Sequence, residues 1–250
     1  MVDFAKIRES MRRPIEVPDV VVGVSGHRPH KLPDRETGYQ WANPLRTALR
    51  ERLEAATRAV LARHADARCT CSTWETPDPA CVVGQELGNH RRGQDRGRAL
   101  HVDSYLRRVE WSSGWGGEAW RRIRALGVTG AALGVDQDMA GVWRRMGIPY
   151  VCAIPFPGQD ARWPTESRRV YEKVLACAAG VVYVTTERPQ TDEGVKEALH
   201  KRNEWNCCVS DEMIGVWDGS GGGTASCLHY WRHLAGPPAV LIDPREVLRG

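Results

Sequence analysis

Short apolar runs alternate with amphipathic stretches along most of the chain. Residues 20–24 (VVVGV) have the unbroken apolar character of a strand buried on both faces of a parallel sheet. A helix is predicted over 44–64, with Pro44 in the first turn and Leu45, Leu49, Leu53, Ala56, Val60 and Leu61 along one stripe. After a long interruption the rhythm resumes. A helix over 118–126 leads to a strand over 128–133, then a helix over 137–146. Strands at 149–154, 180–184, 213–217 and 239–243 alternate with helices at 164–178, 192–208 and 224–235. Repeated β–α units of this length predict an α/β fold: a Rossmann-like, doubly wound, mostly parallel sheet with helices on both faces.

Two segments stand outside that pattern. Residues 1–18 read as an N-terminal arm, with Phe4, Ile7 and Met11 at helical spacing and Pro14 and Pro18 closing it. The arm would pack on the body or on a partner subunit. Residues 66–117 hold no period for long and are too many for an ordinary connection, so they read as an irregular insertion in one domain spanning 19–250. Within the insertion, Cys69, Cys71, Cys81 and His90 supply ligand types for zinc, although their spacing fits no standard ribbon or finger. The alternative is free thiols in a flap. Its aromatic residues Trp74, Tyr105, Trp111 and Trp115 would close over a ligand or a neighbouring subunit.

Composition narrows the class of partner. A net charge of +4 with both signs interspersed permits an anionic ligand without requiring nucleic acid. No apolar run approaches the ~18 residues of a membrane span, and the first residues contain no apolar signal core. The expectation is a cytoplasmic protein, with no membrane partner, whose eight cysteines are mostly reduced.

Candidate chemistry collects where strands end, because open parallel sheets bind ligands beyond the carboxyl ends of their strands. The first strand runs into Ser25, Gly26, His27 and Arg28, placed for phosphate or ribose contacts or for capping local backbone. Gly134 and Asp136 precede another helix, with Asp136 either a ribose acceptor, an acid/base carboxylate or a helix cap. Pro155 stops a third strand at the same edge. The most suggestive stretch is 218–224, DGSGGGT. Asp218 ends a strand, and Gly222, Gly223 and Thr224 open a helix whose free N–H groups would face an anion. It matches neither G-x-G-x-x-G nor the Walker pattern, since no lysine follows the glycines.

A set of short stretches in order adds a family resemblance. Gly26-His27-Arg28-Pro29, the run 130–136, Ile154-Pro155-Phe156 with Gln159 and Trp163-Pro164, Tyr171, Arg202-Asn203, and Asp211 through Asp218 to Thr224 together resemble the YspA/YpsA-type branch of the SLOG superfamily. That group is Rossmann-like and is similar to the Lonely Guy phosphoribohydrolases and the DprA DNA-processing proteins. The resemblance covers roughly 20–65 and 118–243 and implies a nucleotide-derived ligand on the glycine-threonine loop. Arg28 or Arg202 would supply charge, and Asp136, Asn203, Asp211 and Asp218 would join the ligand site. Lonely Guy enzymes carry a glutamate in the helix after that loop. Here the corresponding positions are Ser226 and Cys227. Any N-glycoside hydrolase or transferase chemistry would fall to Asp136 or Asp218 instead. No resident cofactor beyond a nucleotide-type ligand is expected, a homodimer is the expected assembly, and a DprA-like single-strand binder is the remaining alternative.

Overall fold

A computed structural model describes residues 18–32, 44–66 and 124–247 of the chain. The N-terminal arm, the insertion and the candidate zinc ligands Cys69, Cys71, Cys81 and His90 lie outside the described residues. The elements, in chain order, are β1 (Val20–Gly26), a short 3-10 turn (Pro29–Lys31), α1 (Pro44–Asp66), β2 (Ala125–Thr129), α2 (Val135–Met146) and β3 (Tyr150–Ile154). They continue with α3 (Thr165–Ala176), β4 (Gly180–Tyr183), α4 (Asp192–Val209), β5 (Glu212–Val216), α5 (Gly223–Ala235) and β6 (Val240–Ile242).

The strands form one six-stranded sheet of order β4-β3-β2-β1-β5-β6, and every pairing is parallel. Strand residues alternate between two apolar layers. Val20, Val22 and Val24 join the large core under α1, α2 and α3. Val21 and Met213 belong to smaller clusters on the other face, completed by Val209 of α4 and by Leu228 and Trp231 of α5. This is the doubly wound arrangement that the alternation of elements predicted. Among the described residues no helix is long and apolar enough to cross a membrane.

One element differs from its expectation. Residues 125–129 are strand, where a helix to 126 and a strand from 128 were predicted. The physical reason lies at Gly127. A side chain there would collide with the Trp143 ring of α2, so glycine sits within the strand to let that ring lie against the sheet. The stretch after it, Gly130 to Ala132, is loop. Thr129 Oγ1 donates to Asp136 O at 3.1 Å and accepts from Ala131 N at 3.2 Å, closing the strand.

The order of strands fixes where a site can form. The chain moves outward from β1 to β4 on one side, then returns so that β5 pairs with β1 on the other. The crevice beyond the carboxyl ends of β1 and β5 is therefore the switch point at which such sheets bind ligands.

Candidate functional site

The parallel register places Gly26 opposite Val216, so the residues that follow each strand emerge side by side. His27 leaves β1 and Asp218 leaves β5. His27 Nε2 lies 2.6 Å from Asp218 Oδ1, a short bond in which the ring N–H donates to the carboxylate. The imidazole is buried. Asp218 Oδ1 also accepts from Ser220 N at 2.9 Å, and Trp217 Nε1 donates to Ser220 O at 2.6 Å. Burial alone would raise the Asp218 carboxyl. Hydrogen bonds from the Ser220 hydroxyl and N–H and from His27 outweigh it and hold the carboxyl well below the usual carboxylate range.

These bonds shape the glycine loop that leads into α5. Gly222 is the N-cap, with φ 128°, a conformation that favours glycine, and no side chain caps the helix. The first-turn N–H groups of an α-helix have no partner within the helix. Among the described residues nothing lies within 4 Å of where a Cβ on Gly223 would stand, which leaves the approach to those groups open on that side. Asn203 Nδ2, from α4, donates to Gly223 O at 3.2 Å and fixes the start of α5. Thr224 occupies the first turn.

A cation reaches this loop from across the sheet. Lys31, in the turn after β1, donates from Nζ to Gly221 O and, at 3.2 Å, to Ser220 Oγ. A Cβ on Gly222 would stand 3.1 Å from the same Nζ. The glycines are followed by no lysine in the chain, yet the fold brings one to them.

The second half of the site lies beyond β2. Asp136 and Arg202 are both buried, and Arg202 Nη1 donates to Asp136 Oδ2 at 3.2 Å. Gly130 makes this possible, because any side chain there would collide with the guanidinium. Asp136 Oδ2 also accepts from Ala132 N at 3.3 Å. Burial raises the Asp136 carboxyl above its ordinary pKa, against the pull of Arg202, the Ala132 N–H and Arg28. Arg28 counts among the exposed residues, yet neighbouring protein desolvates its guanidinium, which together with the Arg202 charge lowers its pKa. Arg202 Nε is buried without a hydrogen-bond partner among the described residues. Among the described residues, the guanidinium groups of Arg28 and Arg202 thus outnumber the Asp136 carboxylate in this half.

Gly134 joins the halves. Its φ is 94°, and a Cβ there would stand 2.6 Å from His27 O. Val135 N donates to that carbonyl at 3.3 Å. Gln159, Trp163 and Tyr171 prove to be a buttress. Gln159 Nε2 donates to Gly130 O at 3.5 Å and to the Tyr171 hydroxyl at 3.1 Å, and the Trp163 and Tyr171 rings meet edge to face. Ser25 is buried at the end of β1. Pro155 follows β3 at the same edge, and its carbonyl accepts from Thr185 Oγ1 at 2.6 Å.

Asp211 is the correction to the sequence-predicted set. It precedes β5, and its carboxylate accepts from Val21 N at 2.8 Å. That places it at the amino edge of the sheet, a strand's length from the glycine loop. It closes the β1–β5 ladder, at the opposite edge of the sheet from the glycine loop.

The comparison with curated proteins bears on this constellation. The uncharacterized SPbeta prophage-derived protein YoqJ of Bacillus subtilis (strain 168) is 31% identical over 118 residues, covering 41% of this chain and 67% of YoqJ. The chain belongs to the YoqJ family. No family model matches it. YoqJ is similar to less than half of this chain.

Proposed function

We propose that this member of the YoqJ family binds a nucleotide or nucleotide-derived small molecule across the carboxyl edge of the sheet, in a sensor or carrier role, and that it is a SLOG-type protein. The open start of α5 carries the reading. Gly222 caps it without a side chain, the space before Gly223 is free of other described residues, and Lys31 stands over the loop. Backbone N–H groups, a helix dipole and an ammonium together suit a phosphate. The excess of guanidinium at Arg28 and Arg202, with the orphaned Arg202 Nε, favours an anionic group at the second half as well. Asp136, Asn203 and His27 supply the polar groups that would orient ribose or base.

Calorimetric titration with nucleoside monophosphates, diphosphates and NAD-like dinucleotides tests this. Micromolar binding by at least one is expected, and no binding by any overturns the reading. A second reading, an N-glycoside hydrolase on the same site, draws on Asp136 and Asp218, whose carboxyls are shifted in opposite directions by their surroundings. Chromatography for released base on the same titration samples separates the two. Base release that Asp218→Asn abolishes would favour the enzyme.

A further inference from the structure

Below the glycine loop, α4 and α5 meet through sulfur. Cys207 lies near the end of α4 and Cys227 in the second turn of α5, with their Sγ atoms 3.7 Å apart. Cys207 Sγ also lies 3.6 Å from Cys227 O, and both residues are buried. Cys227 is not remote from the site. The charges of Arg202 and Asp136 act on its sulfur. Either thiol can donate to the other, and the Cys207 S–H is also within reach of Cys227 O. The contact with Cys227 and burial push the Cys207 thiol up, while the contact with Cys207 and the Arg202 charge lower the Cys227 thiol against burial. Two sulfurs in contact, one of them the more readily deprotonated, are placed for disulfide chemistry.

We propose that Cys207 and Cys227 form a reversible disulfide that ties α4 to α5 and makes anion binding at the glycine loop responsive to hydroperoxides. The binding half of this rests on the nucleotide-site reading; the disulfide half does not. The Cys227 thiolate attacks the terminal oxygen of a hydroperoxide and breaks the O–O bond, leaving Cys227 as sulfenic acid and releasing water or an alcohol after proton uptake. The Cys207 sulfur then attacks the Cys227 sulfur. Hydroxide leaves and takes the Cys207 proton as water. The sulfur pair loses two electrons and the peroxide gains them, and an added dithiol reverses the change. Both sulfurs are buried, so a small peroxide reaches them through local opening of α5 from α4.

Closing the gap from 3.7 Å to a disulfide's ~2.05 Å draws the second turn of α5 toward α4. The Asn203–Gly223 bond sits one turn away, so the N–H groups at the helix start shift with it. A coupling of this kind is expected to weaken anion binding about tenfold.

The test uses the full chain treated with hydrogen peroxide, followed by alkylation of free thiols and peptide mapping. The expected product is a Cys207–Cys227 linked peptide, lost on reduction with dithiothreitol and absent from Cys207→Ser and Cys207→Ala. Oxidation of the exposed Cys208 with Cys207 and Cys227 still unlinked would overturn the proposal. Amide exchange over 223–227 should change on oxidation of the wild type and not of Cys207→Ser. ADP affinity should fall about tenfold in the same comparison. A linked pair with unchanged exchange overturns the coupling to α5. If ADP binds neither form, the affinity comparison is made with whichever nucleotide of the panel binds; if none does, the nucleotide reading fails, while mapping and exchange still decide the disulfide.

Discussion

The two halves of the site solve the problem of holding charge in opposite ways. Beyond β5, Asp218, Ser220 and Lys31 are only partly covered, and the start of α5 offers backbone N–H groups in an open approach. Beyond β2, Asp136 and Arg202 are buried and already paired. Groups that keep water until a ligand arrives cost little to maintain in the free protein. A buried ion pair carries its desolvation cost permanently and tolerates no loss of one partner. The glycine-loop half is therefore built for exchange of an anion, and the Asp136–Arg202 half is built to hold its shape. Stability should depend chiefly on the second half, and the hold on phosphate chiefly on the first.

The strongest way to break this contrast is Arg202→Ala. It would leave Asp136 buried without its cation and is expected to cost about 3–5 kcal/mol in urea unfolding. Replacing both partners by leucine should recover most of that loss; a double variant no better than the single one would mean the pair is not the cause. Next in size is Gly223→Val, which puts a branched side chain into the open approach without a neighbour to strike. Affinity for a phosphate-bearing nucleotide should fall by roughly 3 kcal/mol, about a hundredfold, as the N–H contacts are lost. Urea stability should move by no more than about 1 kcal/mol. Calorimetry and unfolding on the same preparation decide whether affinity and stability separate in this way.

Lys31→Met should have a smaller effect, about tenfold in affinity, and the difference from wild type should shrink as salt is raised. A loss that is indifferent to salt would assign Lys31 to loop shape alone. The smallest effect concerns acid. The folded pKa of Asp218 is lowered below the unfolded value of about 3.9, so its ionised form adds stability above that pH. The contribution drains away as pH falls through the folded value. Asp218→Asn should therefore flatten the fall of the unfolding midpoint below about pH 4. An acid limb identical to the wild type would show that the Ser220 and His27 bonds do not stabilise the carboxylate.

Much of the frame was readable in the chain because its signals are local. The apolar run of β1, the stripe of α1 and the glycine loop before α5 each announce an element within a few residues. Failures came where a distant partner decides the outcome. Gly127 reads as a breaker until Trp143 is known to lie on it. Asp211 was grouped with the site through a motif that spans a whole strand, and only the sheet shows which end it occupies. Lys31 stands 190 residues from the carbonyl it meets, so no spacing rule near the glycines could have found it. The same holds for Cys207, whose approach to Cys227 depends on how α4 and α5 pack. A lysine following the Gly-His-Arg-Pro run was nonetheless a usable signal, since that run ends at the same sheet edge.

The central position of β1 has a consequence for how the chain is made. Its neighbour β5 lies 190 residues further along, as the Val21–Asp211 bond measures. At a synthesis rate of about 5–20 residues per second, the valines of β1 wait roughly ten seconds or more on the ribosome before that partner emerges. During the wait the strand has one open edge, and afterwards β5 must enter between a finished half-sheet and water. The nascent protein thus acquires its β1–β5 crevice late, and a premature stop after β4 but before residue 212 leaves a half-sheet with an unpaired hydrophobic edge, the kind of surface that chaperones and proteases recognise.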